Sequence, residues 1–218
     1  MKVIAFDLDG TLIDSLEGIL DSINYSCRKN NLNQISKENL QEYIGPPINK
    51  YLPDLLDISQ KESIWGKFLK NFREHHDNIG YKKYILYPHT REVIFDIINK
   101  KNIVYIVTNK PYLITIESLK YLKLLHIFND IYALDNSKDN IQIWPKNIIR
   151  NKGNYLDFIA KRHKNETKYF IGDRESDLNA TNNNSFKFIY AKYGYGGNLD
   201  TKKTDLSIQS LLDIKYIY

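Results

Sequence analysis

The segment Phe6-Asp7-Leu8-Asp9-Gly10-Thr11 decides how this chain is interpreted. It overlaps the apolar run Val3-Ile4-Ala5-Phe6, whose length and composition predict a buried strand. Two carboxylates two residues apart then stand at the carboxyl end of that strand, where ligands bind in open α/β sheets. Like charges about 4 Å apart repel by about 4 kcal/mol at an effective dielectric near 20. The pair therefore indicates a metal, a shared proton or a reacting substrate, although an acidic turn after a strand explains Asp-x-Asp-Gly by itself equally well.

After Pro88, helical and strand-like segments alternate along the chain. Helices are expected over 92–100, 112–124 and 154–163. Strands are expected over 103–107, 131–134, 169–171 and 188–190. Such alternation is typical of parallel strands joined by crossover helices. It predicts an α/β fold with a doubly wound, Rossmann-like core around a parallel sheet.

The stretch between the first strand and this alternating region is mostly helical and too long for a simple crossover. Apolar residues recur at helical spacing from Leu16 to Ile23, directly after Ser15, a candidate N-cap. Further helices are expected over 38–44, 48–57 and 61–75. We therefore predict a small α-helical cap over residues 16–86, inserted after the first strand into a core of residues 1–15 and 87–218.

Composition argues against several classes of protein. The net charge of +5 comes from 31 basic and 26 acidic side chains that are dispersed along the chain, so nucleic-acid binding is not expected. No apolar run approaches the roughly 18 residues of a membrane span, and the chain opens on a strand pattern instead of a signal peptide. The single cysteine, Cys27, allows no internal disulfide. We expect a cytoplasmic protein, a monomer or homodimer, with no nucleic-acid or membrane partner.

Three further polar groups follow predicted strands or precede a predicted helix. Thr108-Asn109-Lys110 ends one strand, where a hydroxyl and backbone amides can hold an anion. The segment 172–177 follows another strand, and its Asp173 and Asp177 can share one turn. Lys152 precedes the helix that leads into that strand. Together with Asp7 and its neighbours, these groups predict one polar site at the end of the sheet.

In these motifs the chain resembles the haloacid dehalogenase superfamily of phosphohydrolases, and within it the phosphoglycolate phosphatase-like subgroup. The matching segments are 7–15, Thr108-Asn109-Lys110-Pro111, Lys152 and 172–177, with weaker support from Gly45-Pro46-Pro47 and Tyr193-Gly194-Tyr195-Gly196. The resemblance covers nearly the whole chain. It implies a phosphatase that acts on a small phosphorylated metabolite, phosphoglycolate-like or a sugar phosphate.

The resemblance also implies roles for single residues. Asp7 would be the nucleophile that forms an aspartyl-phosphate, and Asp9 the general acid and base. Thr108 and the backbone amide of Asn109 would hydrogen-bond the phosphoryl oxygens. Lys152 would neutralise charge on Asp7 and on the phosphoryl group.

The same resemblance implies a metal and further contacts with the substrate. Asp7, Asp173 and the Asp9 carbonyl would bind Mg²⁺, with Asp177 acting directly or through water. A set of oxygen donors without cysteine or histidine fits Mg²⁺ better than Zn²⁺. Other expected substrate-binding residues are Gly10, Thr11, Asn109, Lys110 and Gly45.

Two points stay open at this stage. The family's lysine is usually followed by proline, whereas Lys152 is followed by Gly153, and Lys146, preceded by Pro145, is the alternative. A phosphosugar mutase on the same scaffold, or a non-catalytic protein that binds a phosphate ligand, are the alternative functions. A requirement for a bisphosphate activator would identify the mutase, and the intact acidic set argues against the non-catalytic protein.

Overall fold

The computed structural model describes residues 1–60, 63–134, 149–197 and 199–217 of the chain. The strands in these ranges are β1 (Lys2–Phe6), β2 (Ile13–Asp14), β3 (Ile85–Leu86), β4 (Ile103–Pro111), β5 (Asp130–Leu134), β6 (Thr167–Gly172), β7 (Phe186–Ala191) and β8 (Leu206–Ile208). The α-helices are α1 (Leu16–Lys29), α2 (Lys37–Gln41), α3 (Leu52–Leu55), α4 (Ser63–Asn78), α5 (Thr90–Asn99), α6 (Tyr112–Tyr121), α7 (Lys152–Arg162) and α8 (Glu175–Thr181). Short 3₁₀ turns lie at Ile48–Lys50, Gly80–Lys83, Thr201–Lys203 and Leu211–Tyr216.

Six strands form one parallel sheet in the order β5-β4-β1-β6-β7-β8. The central strand β1 pairs Phe6 with Ile106 of β4 on one side and with Ile171 of β6 on the other. The carboxyl ends of these three strands therefore meet at one edge of the sheet. The predicted α/β fold is confirmed. The segments with the polar motifs lie together at this edge of the sheet.

Apolar side chains of β1 alternate between the two faces of the sheet, as the pleat of a strand requires. Ile4 and Phe6 belong to a core on one face, which includes Val93 of α5. Val3 belongs to the core on the opposite face, which includes Leu156 of α7. Helices thus cover both faces of the sheet, so the core is doubly wound. Strands that are buried on both faces have apolar residues in continuous runs, as β1 does.

The segment between β2 and β3 is largely helical. Its helices α1 and α4 pack against each other, and its two ends are joined because β2 and β3 form a two-stranded antiparallel ladder that pairs Ile13 with Leu86. The expected helix over 48–57 is divided into a 3₁₀ turn and α3. Proline lacks an N–H donor, so Pro53 is tolerated in the first turn of α3 but would interrupt a longer helix. The cap boundaries at residues 16 and 86 stay a prediction.

Ser15 stands at the N-cap position of α1, as expected, but its side chain makes no capping hydrogen bond. The backbone N–H of Ser15 instead donates to the Tyr195 hydroxyl at 2.7 Å. The N–H of Leu16 donates to Asp14 Oδ1 at 3.1 Å, and the Tyr195 hydroxyl donates to the same oxygen at 2.6 Å. A tyrosine 180 residues away in sequence therefore takes the place of the local cap.

Several elements were not expected from the sequence, namely α8, β8 and the 3₁₀ turn at Leu211–Tyr216. Each is short, and an apolar repeat needs more length to be recognised. The alternative lysine, Lys146, lies outside the described residues. None of the helices in the described ranges combines the length and apolar character needed to cross a membrane.

Candidate active site

Three buried carboxylates stand together at the carboxyl edge of the sheet. Asp7 directly follows β1, Asp173 directly follows β6, and Asp177 lies in α8. One oxygen from each side chain lies within 4.8 Å of the others. The structure thus brings together three of the predicted metal ligands from segments that are up to 170 residues apart in the sequence.

Lys152 supplies the positive charge to this cluster. Its ammonium lies 2.8 Å from Asp7 Oδ2 and 2.5 Å from Asp177 Oδ1, and the side chain is buried. Lys152 is also the first residue of α7, where the helix dipole disfavours a cation. The two carboxylates outweigh that disadvantage, because charge-assisted hydrogen bonds in a dry environment are strong. Between the two lysines that the sequence left open, the structure places Lys152 in the site.

Burial shifts the titration of these groups. It raises the pKa of Asp7 to about 7, against the opposing effect of the Lys152 charge. Burial and the charges of Asp177 and Asp7 raise the pKa of Asp173 well above its ordinary value. Burial alone would lower the pKa of Lys152, but Asp177 and Asp7 outweigh it and raise that pKa instead. The lysine therefore stays charged, while Asp7 and Asp173 keep their protons to a higher pH than ordinary carboxyl groups do.

Asp173 is held by backbone and side-chain donors from two loops. The backbone N–H of Tyr195 donates to its Oδ2 at 2.8 Å, and the Thr11 hydroxyl donates to its Oδ1 at 3.4 Å. Gly10 has a φ of 82° and lies so close that a Cβ there would be 2.4 Å from Asp173 Oδ2. Thr11 and Gly10 thus contact a predicted metal ligand, and their predicted contact with substrate stays a prediction.

The loop after β7 packs against the backbone of Asp173 with no room for a side chain at Gly196. A Cβ at Gly196 would lie 1.4 Å from the Asp173 carbonyl oxygen. Because a carbonyl of the main chain cannot move aside like a flexible side chain, the substitution must displace the loop or the metal-ligand segment.

We expect Gly196→Ala to lower the free energy of unfolding by about 3 kcal/mol or more, as overpacking in a rigid surrounding does. The matched control is Gly66→Ala in α4, where a Cβ would meet nothing within 4 Å. Gly66→Ala is expected to raise the free energy of unfolding by about 0.5–1 kcal/mol, because alanine is the better helix former. Urea unfolding of both variants measures the two effects, and an equal effect at both positions would contradict the close packing at Gly196.

Asp9 faces a second lysine. The Lys110 ammonium lies 3.0 Å from Asp9 Oδ1 and 3.2 Å from Oδ2, so Lys110 binds a carboxylate of the site. Burial alone would lower the pKa of Lys110, but the Asp9 charge and Tyr84 raise it above its ordinary value. Lys110 is therefore charged in the folded protein, and its predicted contact with substrate stays a prediction.

Thr108 and Asn109 lie in the last part of β4, beside β1. The buried Thr108 Oγ1 accepts a hydrogen bond from the Lys110 backbone N–H at 3.2 Å, which leaves its own O–H free to donate to a ligand. Asn109 is partly exposed and lines the neighbouring cavity. The predicted contacts of Thr108 and Asn109 with a phosphoryl group stay a prediction.

A cavity of about 700 Å³ opens between the sheet edge and the helical segment. Its core side includes Asp9, Asn109 and Lys110, and its opposite side includes Gly45 and Arg73. Gly45 has a φ of 121° and would place a Cβ 3.5 Å from the side chain of Arg174. A cavity of this size can bury a whole small organic molecule.

Arg174 links the sheet edge to the helical segment, a role that sequence analysis missed. Its guanidinium donates to the backbone carbonyls of Glu42 at 2.9 Å and Gln41 at 3.0 Å. Its own backbone N–H donates to Asp177 Oδ2 at 3.0 Å. One residue between two predicted metal ligands therefore also ties the end of α2 to the core, and no local pattern in the sequence points to a partner 132 residues away.

The donor set fits a hard cation. Asp7 Oδ1 is buried and has no hydrogen-bond partner among the described residues, which is costly unless a ligand satisfies it. Asp7, Asp173 and Asp177 offer carboxylate oxygens only. Oxygen donors without thiolate or imidazole are the ligands that Mg²⁺ and similar ions prefer.

Comparison with known sequences identifies related proteins. The profile of the haloacid dehalogenase-like hydrolase family matches residues 4–191. The chain is 25% identical to a phosphoglycolate phosphatase from Vibrio cholerae, over 89% of this chain and 86% of the relative. It is 24% identical to a 5′-nucleotidase from Pseudomonas aeruginosa, over 88% of this chain and 83% of the relative.

Comparison with solved structures gives the same fold. A haloacid dehalogenase-like family hydrolase from Streptococcus pneumoniae superimposes with a TM-score of 0.82 at 20% identity, covering 100% of this chain and 99% of that chain. At this identity the likeness concerns the fold alone. The overall fold of this chain is thus also found in a solved protein.

Proposed function

We propose, from the premise that this chain belongs to the haloacid dehalogenase-like hydrolase family, that it is a phosphatase that hydrolyses a small organic phosphate monoester. The observation that carries the proposal is the buried Asp7, which lies 2.8 Å from the Lys152 ammonium beside Asp173 and Asp177. Two kinds of relative support it, since both a phosphoglycolate phosphatase and a 5′-nucleotidase remove phosphate from an ester.

Asp7 is the nucleophile in this proposal. One of its carboxylate oxygens attacks phosphorus, the bond from phosphorus to the leaving oxygen breaks, and an aspartyl-phosphate forms on Asp7. Lys152 stabilises the negative charge that gathers on Asp7 and the phosphoryl group. The Thr108 hydroxyl and the Asn109 backbone N–H donate to the phosphoryl oxygens, which orients phosphorus toward Asp7.

Asp9 moves the protons in both halves of the reaction. It first donates a proton to the leaving oxygen, so that an alcohol departs instead of an alkoxide. It then accepts a proton from the water that attacks the aspartyl-phosphate, and inorganic phosphate and the free Asp7 carboxylate are released. Asp9 lines the cavity, a position that suits both tasks if substrate and water enter there.

Mg²⁺ is the cofactor that we propose for the acidic cluster. Asp7, Asp173 and the Asp9 backbone carbonyl would hold it, with Asp177 direct or through water, because Asp177 already binds Lys152 and the Arg174 N–H. When bound, the ion supplies charge that reduces the repulsion between Asp7 and an incoming phosphate. The unpartnered Asp7 Oδ1 is the atom in the described residues that supports this assignment.

We expect Mg²⁺ to raise the melting temperature more at about pH 8 than at about pH 5.5. Since the pKa of Asp7 is raised to about 7, the folded protein binds more protons than the unfolded chain between about pH 4 and 7. Its free energy of unfolding therefore falls as pH rises through that window. A cation binds only to deprotonated carboxylates, so Mg²⁺ binds best above this pH range.

Thermal unfolding with and without Mg²⁺ at both pH values measures this difference. Asp173→Asn is the control, and it should lose most of the Mg²⁺-induced shift at both pH values. A shift in the wild type that is equal at the two pH values, or larger at the acidic one, would contradict the proposed metal site.

The volume of the cavity limits the size of the leaving group that can bind. At about 700 Å³ it has room for much more than the two carbons of phosphoglycolate. A phosphoglycolate-like ester and a sugar phosphate therefore both fit beside Asp9, and a nucleoside monophosphate is a third class to include in a screen. The cap helices would set the choice among them, because their side chains form the far wall.

Release of inorganic phosphate from a panel of these three classes tests the proposed function. We expect Mg²⁺-dependent release from at least one class, and inhibition when a chelator removes the metal. Turnover that needs a catalytic amount of a sugar bisphosphate and yields an isomeric phosphate would instead identify a mutase. Binding of the esters without turnover would identify a non-catalytic protein.

A further inference from the structure

The helical segment lines its side of the cavity with apolar side chains. Five of them come from α1, from the loop after α2 and from α4: Ile19, Ile44, Trp65, Leu69 and Phe72. Together with Ile114 of α6 on the core side, they form an apolar wall. Ligand pockets lined in this way bind the apolar body of a small molecule and orient it with a few polar groups. Since the phosphate group belongs beside Asp7, the part of the substrate that meets this wall is the leaving group.

The charged side chains that line the cavity offer little to a leaving group with a negative charge of its own. Within the described ranges these side chains are Asp9, Lys110, Arg73 and Asp77. The Lys110 ammonium lies 3.0 Å from Asp9 Oδ1, so the charges of this pair compensate each other. Arg73 and Asp77 are both exposed, and an ion pair in contact with solvent contributes little. A carboxylate such as that of glycolate thus finds little compensation among these residues, and an uncharged leaving group needs none.

Tyr51 adds one polar group to the lining of the cavity. The residue lines the cavity and is 8% exposed, and its hydroxyl has no hydrogen-bond partner in the part of the chain that the structure describes. Its ring stacks on that of Tyr43, with the ring centroids 5.3 Å apart, which restricts the orientation of the phenol. Burial raises the pKa of Tyr51, and the Asp9 charge acts in the same direction, so the hydroxyl keeps its proton. A buried donor without a partner is costly unless a ligand accepts from it.

We propose that the leaving group of the natural substrate is an uncharged alcohol that carries a flat, largely apolar ring, and that the Tyr51 hydroxyl donates a hydrogen bond to an acceptor on this ring. The inference rests on the proposed function and narrows the substrate to one class of ester. Aromatic side chains such as Trp65 and Phe72 pack well against flat rings, either stacked with an offset or edge to face. A glycolate group would instead leave most of a cavity of about 700 Å³ to water in contact with apolar side chains, which a buried ring avoids.

Pairs of phosphate esters that differ in one feature test this class. Benzyl and ethyl phosphate differ in the ring, and so, at larger size, do adenosine 5′-monophosphate and ribose 5-phosphate. Phosphoglycolate and ethyl phosphate have the same number of carbon atoms but differ in the carboxylate. All of these compounds are esters of primary alcohols, so their ester bonds are of similar reactivity. Their kcat/KM values therefore compare how well each leaving group is bound in the transition state.

For the wild type we expect the ring-bearing ester of at least one pair to have a kcat/KM about 10-fold or more above that of its partner, because the ring buries apolar surface. Phosphoglycolate should be hydrolysed no faster than ethyl phosphate. A lack of preference for the ring in both pairs, or a higher kcat/KM for phosphoglycolate than for ethyl phosphate, would overturn the proposal.

The three pyridylmethyl phosphates test the contact with Tyr51, because they have the shape of benzyl phosphate and add one ring nitrogen as an acceptor. The wild type should prefer at least one of these isomers to benzyl phosphate by about 10-fold. Tyr51→Phe should lose this preference at an unchanged melting temperature, because the hydroxyl has no partner in the protein to lose. Tyr43→Phe is the matched control and should keep the preference, since Tyr43 is 40% exposed and does not line the cavity. A preference that Tyr51→Phe retains, or that the wild type lacks, would overturn the assigned contact.

Binding to the Asp7→Asn protein separates a failure of this inference from a failure of the proposed function. Without its nucleophile the variant should bind the same esters without hydrolysing them, and equilibrium dialysis compares their affinities. If the wild type hydrolyses none of the esters but the variant binds the ring-bearing ones more tightly, the proposed function fails and the ligand class stands. If the wild type hydrolyses metabolite esters but neither turnover nor binding favours a ring, the function stands and the inference is wrong.

Discussion

Replacing Asp7 by asparagine is expected to lower phosphatase turnover by at least about 10³-fold while the protein stays folded. An amide has almost the size of the carboxylate but is a much weaker nucleophile, so no aspartyl-phosphate forms. The Lys152 ammonium keeps its contact with Asp177 at 2.5 Å. Because burial raises the pKa of Asp7, the loss of its charge removes an unfavourable group, and the melting temperature should be unchanged or higher.

Asp14→Asn is the matched control for this prediction. It makes the same chemical change seven residues later, and the Oδ1 of an asparagine can still accept from Leu16 N–H and the Tyr195 hydroxyl. Turnover of 4-nitrophenyl phosphate by both variants, at saturating Mg²⁺, measures the difference. Similar losses in the two variants would contradict a nucleophilic role that belongs to Asp7.

Lys152→Met is expected to lower turnover by about 10²–10³-fold and also to destabilise the metal-free protein. The substitution keeps the length of the side chain but leaves Asp7 and Asp177 without the ammonium that contacts both. Removing one partner of a buried ion pair typically costs about 3–5 kcal/mol. Mg²⁺ should restore part of the stability, because it supplies positive charge to the same carboxylates, but not the turnover.

Two other lysines provide the comparison. Lys161 lies near the end of the same helix, is 71% exposed and pairs with Asp157, so Lys161→Met should change stability by no more than about 0.5 kcal/mol. Lys146→Met tests the alternative assignment and should keep most of the activity. Loss of turnover in Lys146→Met together with normal turnover in Lys152→Met would show that the wrong lysine has been chosen.

The polar site at the carboxyl edge of the sheet could be predicted because each of its motifs is local in the sequence. Asp7, Thr108 and Asp173 each follow an apolar run that is short enough to be a strand, and parallel strands bring their carboxyl ends to one edge. The place of Lys152 directly before a helix favours it over Lys146, although the sequence alone leaves the choice open. These inferences need only the order of strands and helices along the chain, which the hydrophobic pattern conveys.

The contacts between the core and the helical segment could not be predicted in the same way. Tyr84 is one of 17 tyrosines, and nothing in its neighbourhood points to a lysine 26 residues away. Nothing in the sequence around Arg174 indicates that its side chain binds two backbone carbonyls at the end of α2. Such pairs depend on how two segments dock, and docking leaves no periodic pattern in either one.

Ser15 illustrates a local rule that a tertiary contact overrides. Serine before an apolar helical repeat is a common N-cap, yet here Asp14 and the Tyr195 hydroxyl take the free N–H groups at the start of α1. Tyr195 also donates its backbone N–H to Asp173. A single residue of the C-terminal loop therefore connects the predicted metal ligand with the start of the helical segment, which accounts for the departure from the local rule.

Chemical trapping of the intermediate tests the central claim most directly. Wild-type protein would be mixed with Mg²⁺ and a substrate that it turns over, then treated with borohydride, which reduces an aspartyl-phosphate to homoserine, and digested for mass spectrometry. The account predicts homoserine at position 7, and only in samples that contained substrate. Phosphate release without any change at Asp7, or with the change at another carboxylate, would contradict the assignment of Asp7 as the nucleophile.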